Sequence, residues 1–296
     1  MALNDKTVSN LAEKGMVPGA VACITGAADG IGLACAKQFA ALGLNVVALD
    51  INAEKLNAAG AEIARAGAPE VATHVVDVSD ANALQTVESD IAARFGGTDI
   101  LVNNAGIQPG SDIFGPLANW QRIIGVNLWG VINGSQIFAP RMIARGRPGA
   151  IINTGSKQGI TTPPGDPCYN VAKAGVKAFT EALEHELRNT DGAHLSAHLL
   201  IPGFVFTALN AHGRTEKPTG AWTPDQMADF AMQRLAKGDF YILCPDNDVP
   251  RDLDEKRMTW AMGDITKNRP PLSRWHPDYT KAFEAYITGQ ETVPPP

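Results

Sequence analysis

The chain has 296 residues, which is enough for one large domain or two small ones. Its net charge of −6 and the absence of a basic run argue against nucleic acid as a partner. The sequence has no apolar stretch of signal or membrane-spanning length, and its 4 cysteines are scattered. We therefore expect a cytoplasmic protein with reduced thiols, no membrane partner and no metal.

Strand-like and helix-like segments alternate from residue 19 onward, after an N-terminal helical addition at 1–18 in which 3–15 predict a short helix. The predicted strands are 20–25, 45–50, 71–78, 99–106, 150–156, 195–203 and 239–244. The predicted helices are 33–43, 53–67, 80–95, 119–145, 169–188 and 224–237. This alternation predicts an α/β fold, a Rossmann-like doubly wound parallel sheet of seven strands flanked by helices in a single domain over 19–245.

Two further segments stand apart from this alternation. Residues 205–222 are polar, broken by Gly and Pro, and long, which is typical of a lid over a substrate site. Residues 246–296 form a C-terminal extension with predicted helices at about 252–262 and 278–287 and several aromatic residues. We expect the extension to pack as a strap on the domain or on a partner subunit.

A glycine-rich turn, Thr25-Gly26-Ala27-Ala28-Asp29-Gly30-Ile31-Gly32, joins the first strand to the first helix of this domain. Such a turn lets backbone N–H groups approach a pyrophosphate at a helix N-terminus. Asp50 ends the next strand, where a carboxylate can bind the adenosine ribose hydroxyls and repel a 2′-phosphate. No Arg or Lys stands among residues 26–36 or beside Asp50, so NAD is favoured over NADP. The alternative is that Asp50 only caps a helix.

Tyr169 and Lys173 are spaced four apart at the start of an Ala-rich helix, so their side chains share one helical face. A cation close to a phenol lowers the phenol pKa, which makes a proton donor and acceptor near neutral pH. Ser156 ends the preceding strand and could hold a substrate oxygen. Taken alone, a Tyr and Lys at this spacing are more often surface residues.

These features together resemble the short-chain dehydrogenase/reductase family over about residues 19–245. The further motifs that match it are Asp77-Val78, Asn103-Asn104-Ala105-Gly106, Asn127 in GVNLWG, Ser156 thirteen residues before Tyr169, Tyr169-x-x-x-Lys173, and Pro202-Gly203 followed by Val205 and Thr207. The segments IIGVNLWGVING and PRMIARGRPG are similar to members that oxidise benzylic alcohols of lignin-type aromatics.

The resemblance implies a catalytic set of Asn127, Ser156, Tyr169 and Lys173. Tyr169 would remove the alcohol proton while hydride passes to the nicotinamide, and Ser156 would bind the substrate oxygen. Lys173 would hold the nicotinamide ribose and, with the nicotinamide cation, lower the Tyr169 pKa; Asn127 would anchor a water. The implied NAD-binding residues are Gly26, Ala28, Asp29, Gly30, Ile31, Asp50, Ile51, Asp77, Val78, Asn104, Ala105, Gly106, Tyr169, Lys173, Pro202, Gly203, Val205 and Thr207.

The predicted substrate pocket has mostly apolar surroundings, which favours a secondary alcohol or ketone with apolar, aromatic or cyclic substituents. Its predicted residues are Ser156, Gln158, Ile160, Tyr169 and Phe204. Two other functions stay open: an epimerase or dehydratase that retains NAD on the same fold, and a non-catalytic NAD-binding protein. We also predict a homodimer or homotetramer. The helices near 112–145 and 166–188 have Ala-rich faces suited to close packing, and members of the family that the chain resembles are often dimers or tetramers.

Overall fold

The structure, a computed structural model, describes residues 10–211 and 213–289. The predicted N-terminal helix is found there as α1 (Leu11–Gly15), and the rest of that prediction, before residue 10, lies outside the described residues. Asn10 caps α1 by accepting a hydrogen bond from the Glu13 N–H at 3.0 Å. The Asn10 amide also donates to the Leu235 carbonyl at 3.1 Å, so this addition is attached to the main body.

The described residues form one parallel sheet of 7 strands in the order β3-β2-β1-β4-β5-β6-β7. The strands are β1 (Val21–Thr25), β2 (Asn45–Asp50), β3 (Val71–Val75), β4 (Ile100–Asn103), β5 (Gly149–Thr154), β6 (Leu195–Ile201) and β7 (Tyr241–Leu243). The order reverses between β1 and β4, which opens a crevice at the carboxyl ends of the strands. The predicted seven-stranded, doubly wound fold is confirmed.

Helices cover both faces of the sheet. They are α2 (Gly30–Ala41), α3 (Ala53–Arg65), α4 (Ala81–Phe95), α5 (Leu117–Ile124), α6 (Gly130–Arg145), α7 (Gln158–Thr161), α8 (Pro167–Asn189), α9 (Ala208–Ala211) and α10 (Pro224–Leu235). Along β1, Ala22 and Ile24 belong to one core cluster, while Val21 and Cys23 belong to the cluster on the opposite face. Because both faces are buried, the strands read as continuous apolar runs.

A π-helical turn, Gly125–Trp129, interrupts the helix that the sequence predicts over 119–145. The structure therefore has α5, this turn and α6 where one regular helix was expected. The wider turn carries Asn127, whose side chain is fully buried. Such insertions are rare and are often found at functional sites.

The predicted lid, which follows β6, and the C-terminal extension, which follows β7, are both ordered by contacts within themselves. In the predicted lid, Val205 pairs with Trp222 in an isolated parallel bridge, so the segment between them is closed at its base. The extension contains α11 (Arg251–Thr266) and α12 (Thr280–Thr288), joined by two short 3₁₀ turns, Ser273–Trp275 and Pro277–Tyr279. None of the helices in the described residues combines the length and the apolar character needed to cross a membrane.

Candidate active site

A cavity of about 640 Å³ lies in the crevice, at the carboxyl ends of β1, β4, β5 and β6. It brings together most of the predicted site residues, which range from Gly26 to Thr207 along the sequence. The predicted residues that line it are Gly26, Asp29, Gly30, Ile31, Asp50, Asn104, Ala105, Gly106, Ser156, Gln158, Tyr169, Lys173, Pro202, Gly203, Phe204, Val205 and Thr207. It also includes Thr154, Gly155, Lys157 and Asn210, which the sequence analysis did not assign; each follows directly on, or lies next to, an assigned segment.

The glycine-rich turn forms one wall of the cavity. Gly26 has φ +66°, in the left-handed region that favours glycine. A Cβ at Gly32 would collide with the Gly26 carbonyl oxygen and lie 2.6 Å from the Asn104 amide nitrogen. Glycine is therefore needed at Gly32 for the turn to pack against Asn104. Gly26, Asp29, Gly30 and Ile31 line the cavity at the start of α2, where backbone N–H groups can approach a pyrophosphate.

Asp50 lies at the end of β2, beside this turn. Its carboxylate accepts hydrogen bonds from the Ala28 N–H at 3.1 Å and the Asn52 N–H at 2.9 Å. Each oxygen keeps further acceptor capacity, which suits a ribose diol. The sequence showed no cation here, but the structure places the Lys55 ammonium 2.8 Å from Asp29. Lys55 and Asp29 neutralise each other at the same rim of the cavity.

Asn104 joins the middle of the cavity to the glycine-rich turn. Its amide donates to the carbonyl oxygens of Thr25 at 3.1 Å and Gly26 at 3.3 Å. The Thr25 hydroxyl accepts from the N–H groups of Asn104 at 2.9 Å and Ala105 at 3.0 Å. These contacts fix the ends of β1 and β4 against each other, so the two walls of the crevice are held at a constant separation.

Tyr169 and Lys173 lie on the first turns of α8 and line the cavity together with Ser156, which follows β5 by two residues. The Lys173 ammonium lies 5.7 Å from the centre of the Tyr169 ring and donates to the Thr154 carbonyl at 2.8 Å. Both side chains are buried. A phenol, a hydroxyl and an amine thus meet at one point of the sheet edge, an arrangement that can move a proton at a bound oxygen atom.

The pKa values of this pair correct one expectation. Burial raises the pKa of Tyr169 to about 12, and the hydrogen bond with Ser156 opposes that rise only in part. Burial also lowers the pKa of Lys173 to about 8. The lysine was expected to lower the Tyr169 pKa together with a nicotinamide cation. By itself it does not, because desolvation of both groups is the largest influence.

Six predicted residues, all in the described part of the chain, lie outside the cavity lining: Ala28, Ile51, Asp77, Val78, Asn127 and Ile160. Asn127 contacts the cavity wall indirectly, because its side chain accepts from the Ile107 N–H and donates to the Ile107 carbonyl, both at 2.7 Å. Ile160 packs instead on the core cluster that contains Val176 and Leu243. The Asp77 carboxylate accepts from the Ser79 N–H at 2.9 Å and shapes the turn after β3.

The predicted lid forms part of the cavity wall. Leu209 and Arg214 line the cavity beside Phe204, and a Cβ at Gly30 would lie 3.1 Å from the Thr207 side chain. The lid therefore rests on the glycine-rich turn. The Arg214 guanidinium donates to the carbonyls of Ala211 and Asn210 at 3.1 and 2.9 Å, so it is held by the lid backbone.

The family model described as short chain dehydrogenase matches residues 20–218. The chain belongs to this family. A 3-oxoacyl-acyl-carrier-protein reductase from Thermotoga maritima is 35% identical to it over 224 residues, which cover 75% of this chain and 85% of that protein. Family membership, expected from the motifs, is confirmed, and with it a general dehydrogenase or reductase role.

Several solved structures are similar to the chain over most of its length. A short chain dehydrogenase/reductase from Burkholderia phymatum, in complex with NAD, has 30% identity and a TM-score of 0.77, covering 86% of this chain and 97% of that one. The apo form of LigD from Sphingobium sp. strain SYK-6 has 26% identity and a TM-score of 0.68, covering 94% and 99%. A metagenomic short-chain oxidoreductase in complex with NADP has 30% identity and a TM-score of 0.64, covering 78% and 98%.

Proposed function

We propose that this short-chain dehydrogenase transfers a hydride between NAD and a secondary alcohol or ketone that carries apolar, aromatic or cyclic substituents. One observation carries the proposal: a single cavity is lined both by the glycine-rich turn and by Ser156, Tyr169 and Lys173. The glycine-rich turn, of which Gly26, Asp29, Gly30 and Ile31 line the cavity at the start of α2, would hold the pyrophosphate of the dinucleotide.

The cofactor assignment rests on Asp50. Its carboxylate faces the cavity close to the glycine-rich turn, where it would bind the ribose hydroxyls of NAD and repel a 2′-phosphate. The Lys55 ammonium is a positive charge at the same rim, which could attract a 2′-phosphate, and its ion pair with Asp29 reduces that attraction. The bound nicotinamide would accept or supply the hydride. Asn104, Gly203, Val205 and Thr207 would lie along it.

The proton is assigned to Tyr169. With a pKa of about 12 its hydroxyl is protonated at neutral pH, so the protein alone presents a proton donor to a ketone oxygen. In the oxidative direction the hydroxyl would first release its proton to solvent, which the charges of Lys173 and of the nicotinamide cation would favour, and the same oxygen would then take the alcohol proton. Ser156 would hold the substrate oxygen next to Tyr169, and Lys173 would hold the nicotinamide ribose. Asn127 would support the site from outside the cavity lining, by fixing the backbone of Ile107.

The substrate assignment follows from the lid end of the cavity, where Phe204, Val205 and Leu209 supply apolar surface beside Gln158. Arg214 also lines the cavity, and its bonds to the lid carbonyls leave it less available to a carboxylate. The likeness to enzymes of lignin-type benzylic alcohols makes such alcohols the first substrates to test.

A panel of secondary alcohols with NAD, followed by NADH absorbance and by product analysis, tests the proposal. We expect one NADH for each ketone formed, with preference for aromatic or cyclic alcohols. An epimerase or dehydratase that retains NAD would convert substrate without releasing NADH, and a non-catalytic protein would bind NADH without turnover. Preference for small polyols or hydroxy acids would contradict the apolar pocket.

We also propose a homodimer or homotetramer in the cytoplasm. Apolar side chains are exposed on neighbouring elements of one side of the protein: Phe114, Leu117, Trp129 and Val171, of which Phe114 is 100% exposed. A surface of this kind is typical of subunit contacts. All four cysteines lie in the described ranges as buried free thiols, which supports a reducing compartment.

A further inference from the structure

Lys157 directly follows Ser156, yet its side chain points away from solvent. Only 17% of that side chain is exposed. Its ammonium lies 2.6 Å from Asp254 and 3.3 Å from Asp246, and both carboxylates are almost completely buried. A buried charge is stable only when it is paired. The residue next to the predicted catalytic serine is therefore held by two carboxylates that come from beyond β7.

Asp246 extends this contact to the other wall of the site. Its Oδ2 accepts from the Phe204 N–H at 3.0 Å, and its Oδ1 accepts from the Val249 N–H at 2.8 Å. A Cβ at Gly203 would lie 2.8 Å from Oδ2, so the backbone at Gly203 packs directly on the carboxylate. One carboxylate thus holds both the segment 202–204, which lines the cavity, and the lysine beside Ser156.

Asp254 belongs to α11 in the C-terminal extension, and this helix packs on α7, which begins two residues after Ser156. The extension holds α11 firmly. The Trp260 indole donates to the Ser273 hydroxyl at 2.8 Å, and the Arg269 guanidinium lies 4.1 Å from the Trp260 ring while pairing with Asp264 at 2.9 Å. The carboxylate of Asp254 is thus presented by a packed unit.

We propose that Lys157 and Asp254 are positioning residues, through which the C-terminal extension sets the place of Ser156 and of segment 202–204. This inference rests on the proposed function for the roles of those two elements. The pair acts through its neighbours, because the Lys157 ammonium is engaged by the carboxylates of Asp254 and Asp246. A displacement of about 1 Å at a catalytic group can reduce turnover about 10²-fold.

The substitution Asp254→Asn tests this, because it keeps the shape and removes the charge. We expect kcat to fall about 10- to 100-fold. We expect the NADH Kd to change less than about threefold, since the glycine-rich turn and Asp50 are at the far end of the cavity. The matched control is Glu255→Gln on the same helix, whose carboxylate pairs with Arg251 at 2.7 Å on the exposed side. It should leave both constants unchanged.

Rescue separates positioning from bulk stability. Lys157→Met should lower kcat as Asp254→Asn does, whereas Lys157→Arg keeps the charge and should recover most of it. Rates are expressed per NADH-binding site, so that a loss of folded protein does not count as a loss of kcat. If Asp254→Asn does not accumulate in folded form, Asp254→Glu takes its place, because it shifts the carboxylate by one methylene. Wild-type kcat in the folded variant would overturn the proposal.

Amide hydrogen exchange gives a reading that does not depend on turnover. In Asp254→Asn we expect faster exchange in peptides that span 155–160 and 202–206, with β1, β2 and β4 unchanged. A lower melting temperature with unchanged exchange in those peptides and unchanged kcat would mean that the pair is only structural. If the wild-type protein oxidises no alcohol in the panel, the proposed function fails, while the exchange comparison still decides whether the extension holds this loop.

Discussion

The ammonium of Lys173 donates a hydrogen bond of 2.8 Å to the carbonyl of Thr154. This contact ties the first turns of α8 to the last residue of β5. Ser156 follows Thr154 by two residues, and Tyr169 lies one helical turn before Lys173. The bond therefore restrains the relative positions of three of the four predicted catalytic side chains, Ser156, Tyr169 and Lys173.

Tyr169→Phe should abolish most turnover. The ring is buried and its shape is retained, so the fold and NADH binding should persist, but the hydroxyl that shares the cavity with Ser156 is lost. Positioned acid–base catalysis contributes about 10²–10⁴-fold, and kcat should fall by that amount. Steady-state kinetics and NADH titration measure the two effects separately. A kcat within about tenfold of wild type would refute the assignment of Tyr169.

Lys173→Met should change how stability depends on pH. Burial lowers the Lys173 pKa from 10.5 to about 8, so between these values the unfolded chain binds more protons than the folded one. The free energy of unfolding of the wild type therefore rises with pH through this window. Below the window, folding carries the full free-energy cost of burying the Lys173 cation. The variant lacks this rise, so its stability relative to wild type should fall by about 3 kcal/mol across the window.

Urea unfolding at about pH 7.5 and about pH 10.5 measures that difference. Lys177→Met is the control, because Lys177 lies one turn further along α8 and pairs with Glu181 at 2.8 Å in a partly exposed position. Its pH dependence should follow that of the wild type. If the free energies of unfolding of Lys173→Met and of the wild type changed equally between these pH values, burial would not lower the Lys173 pKa.

Asp50→Asn should weaken the preference for NADH over NADPH. The amide keeps an acceptor for a neighbouring N–H but no longer repels a 2′-phosphate. We expect the NADPH Kd divided by the NADH Kd to fall at least about tenfold, which corresponds to about 1.4 kcal/mol. Fluorescence titration with both cofactors measures this ratio. Lys55→Gln should shift the ratio the opposite way, and wild-type NADPH binding as tight as NADH binding would contradict the assignment of NAD.

Trp129→Glu should reduce the size of the assembly. Trp129 is half exposed at the end of the π-helical turn, near Val171 at the start of α8. A buried, unpaired carboxylate at a subunit contact is costly, so the variant should dissociate. Light scattering on the variant and on Met262→Glu, an exposed apolar residue of the extension, compares the two surfaces. A monomeric wild type, or an unchanged mass in Trp129→Glu, would exclude this face.

The sequence alone determined the architecture and the two ends of the candidate site. Apolar runs and helical periodicity are local, so the strand–helix alternation could be predicted over the whole domain, although the five strands from β3 to β7 end earlier than predicted. The glycine-rich turn was predictable because Gly26 and Gly30 have positive φ and a Cβ at Gly32 would collide with the Gly26 carbonyl oxygen. The spacing of Tyr169 and Lys173 likewise fixed their common face in advance.

Only the tertiary structure decided how those parts are held and how they titrate. The π-helical turn at Asn127 has no local signal, because it depends on the contact with Ile107, twenty residues earlier. The opposite pKa shifts of Tyr169 and Lys173 come from burial by the whole fold. The ion pairs of Lys55 with Asp29 and of Lys157 with Asp254 join residues distant in sequence, and their partners were set by packing, which no single segment specifies.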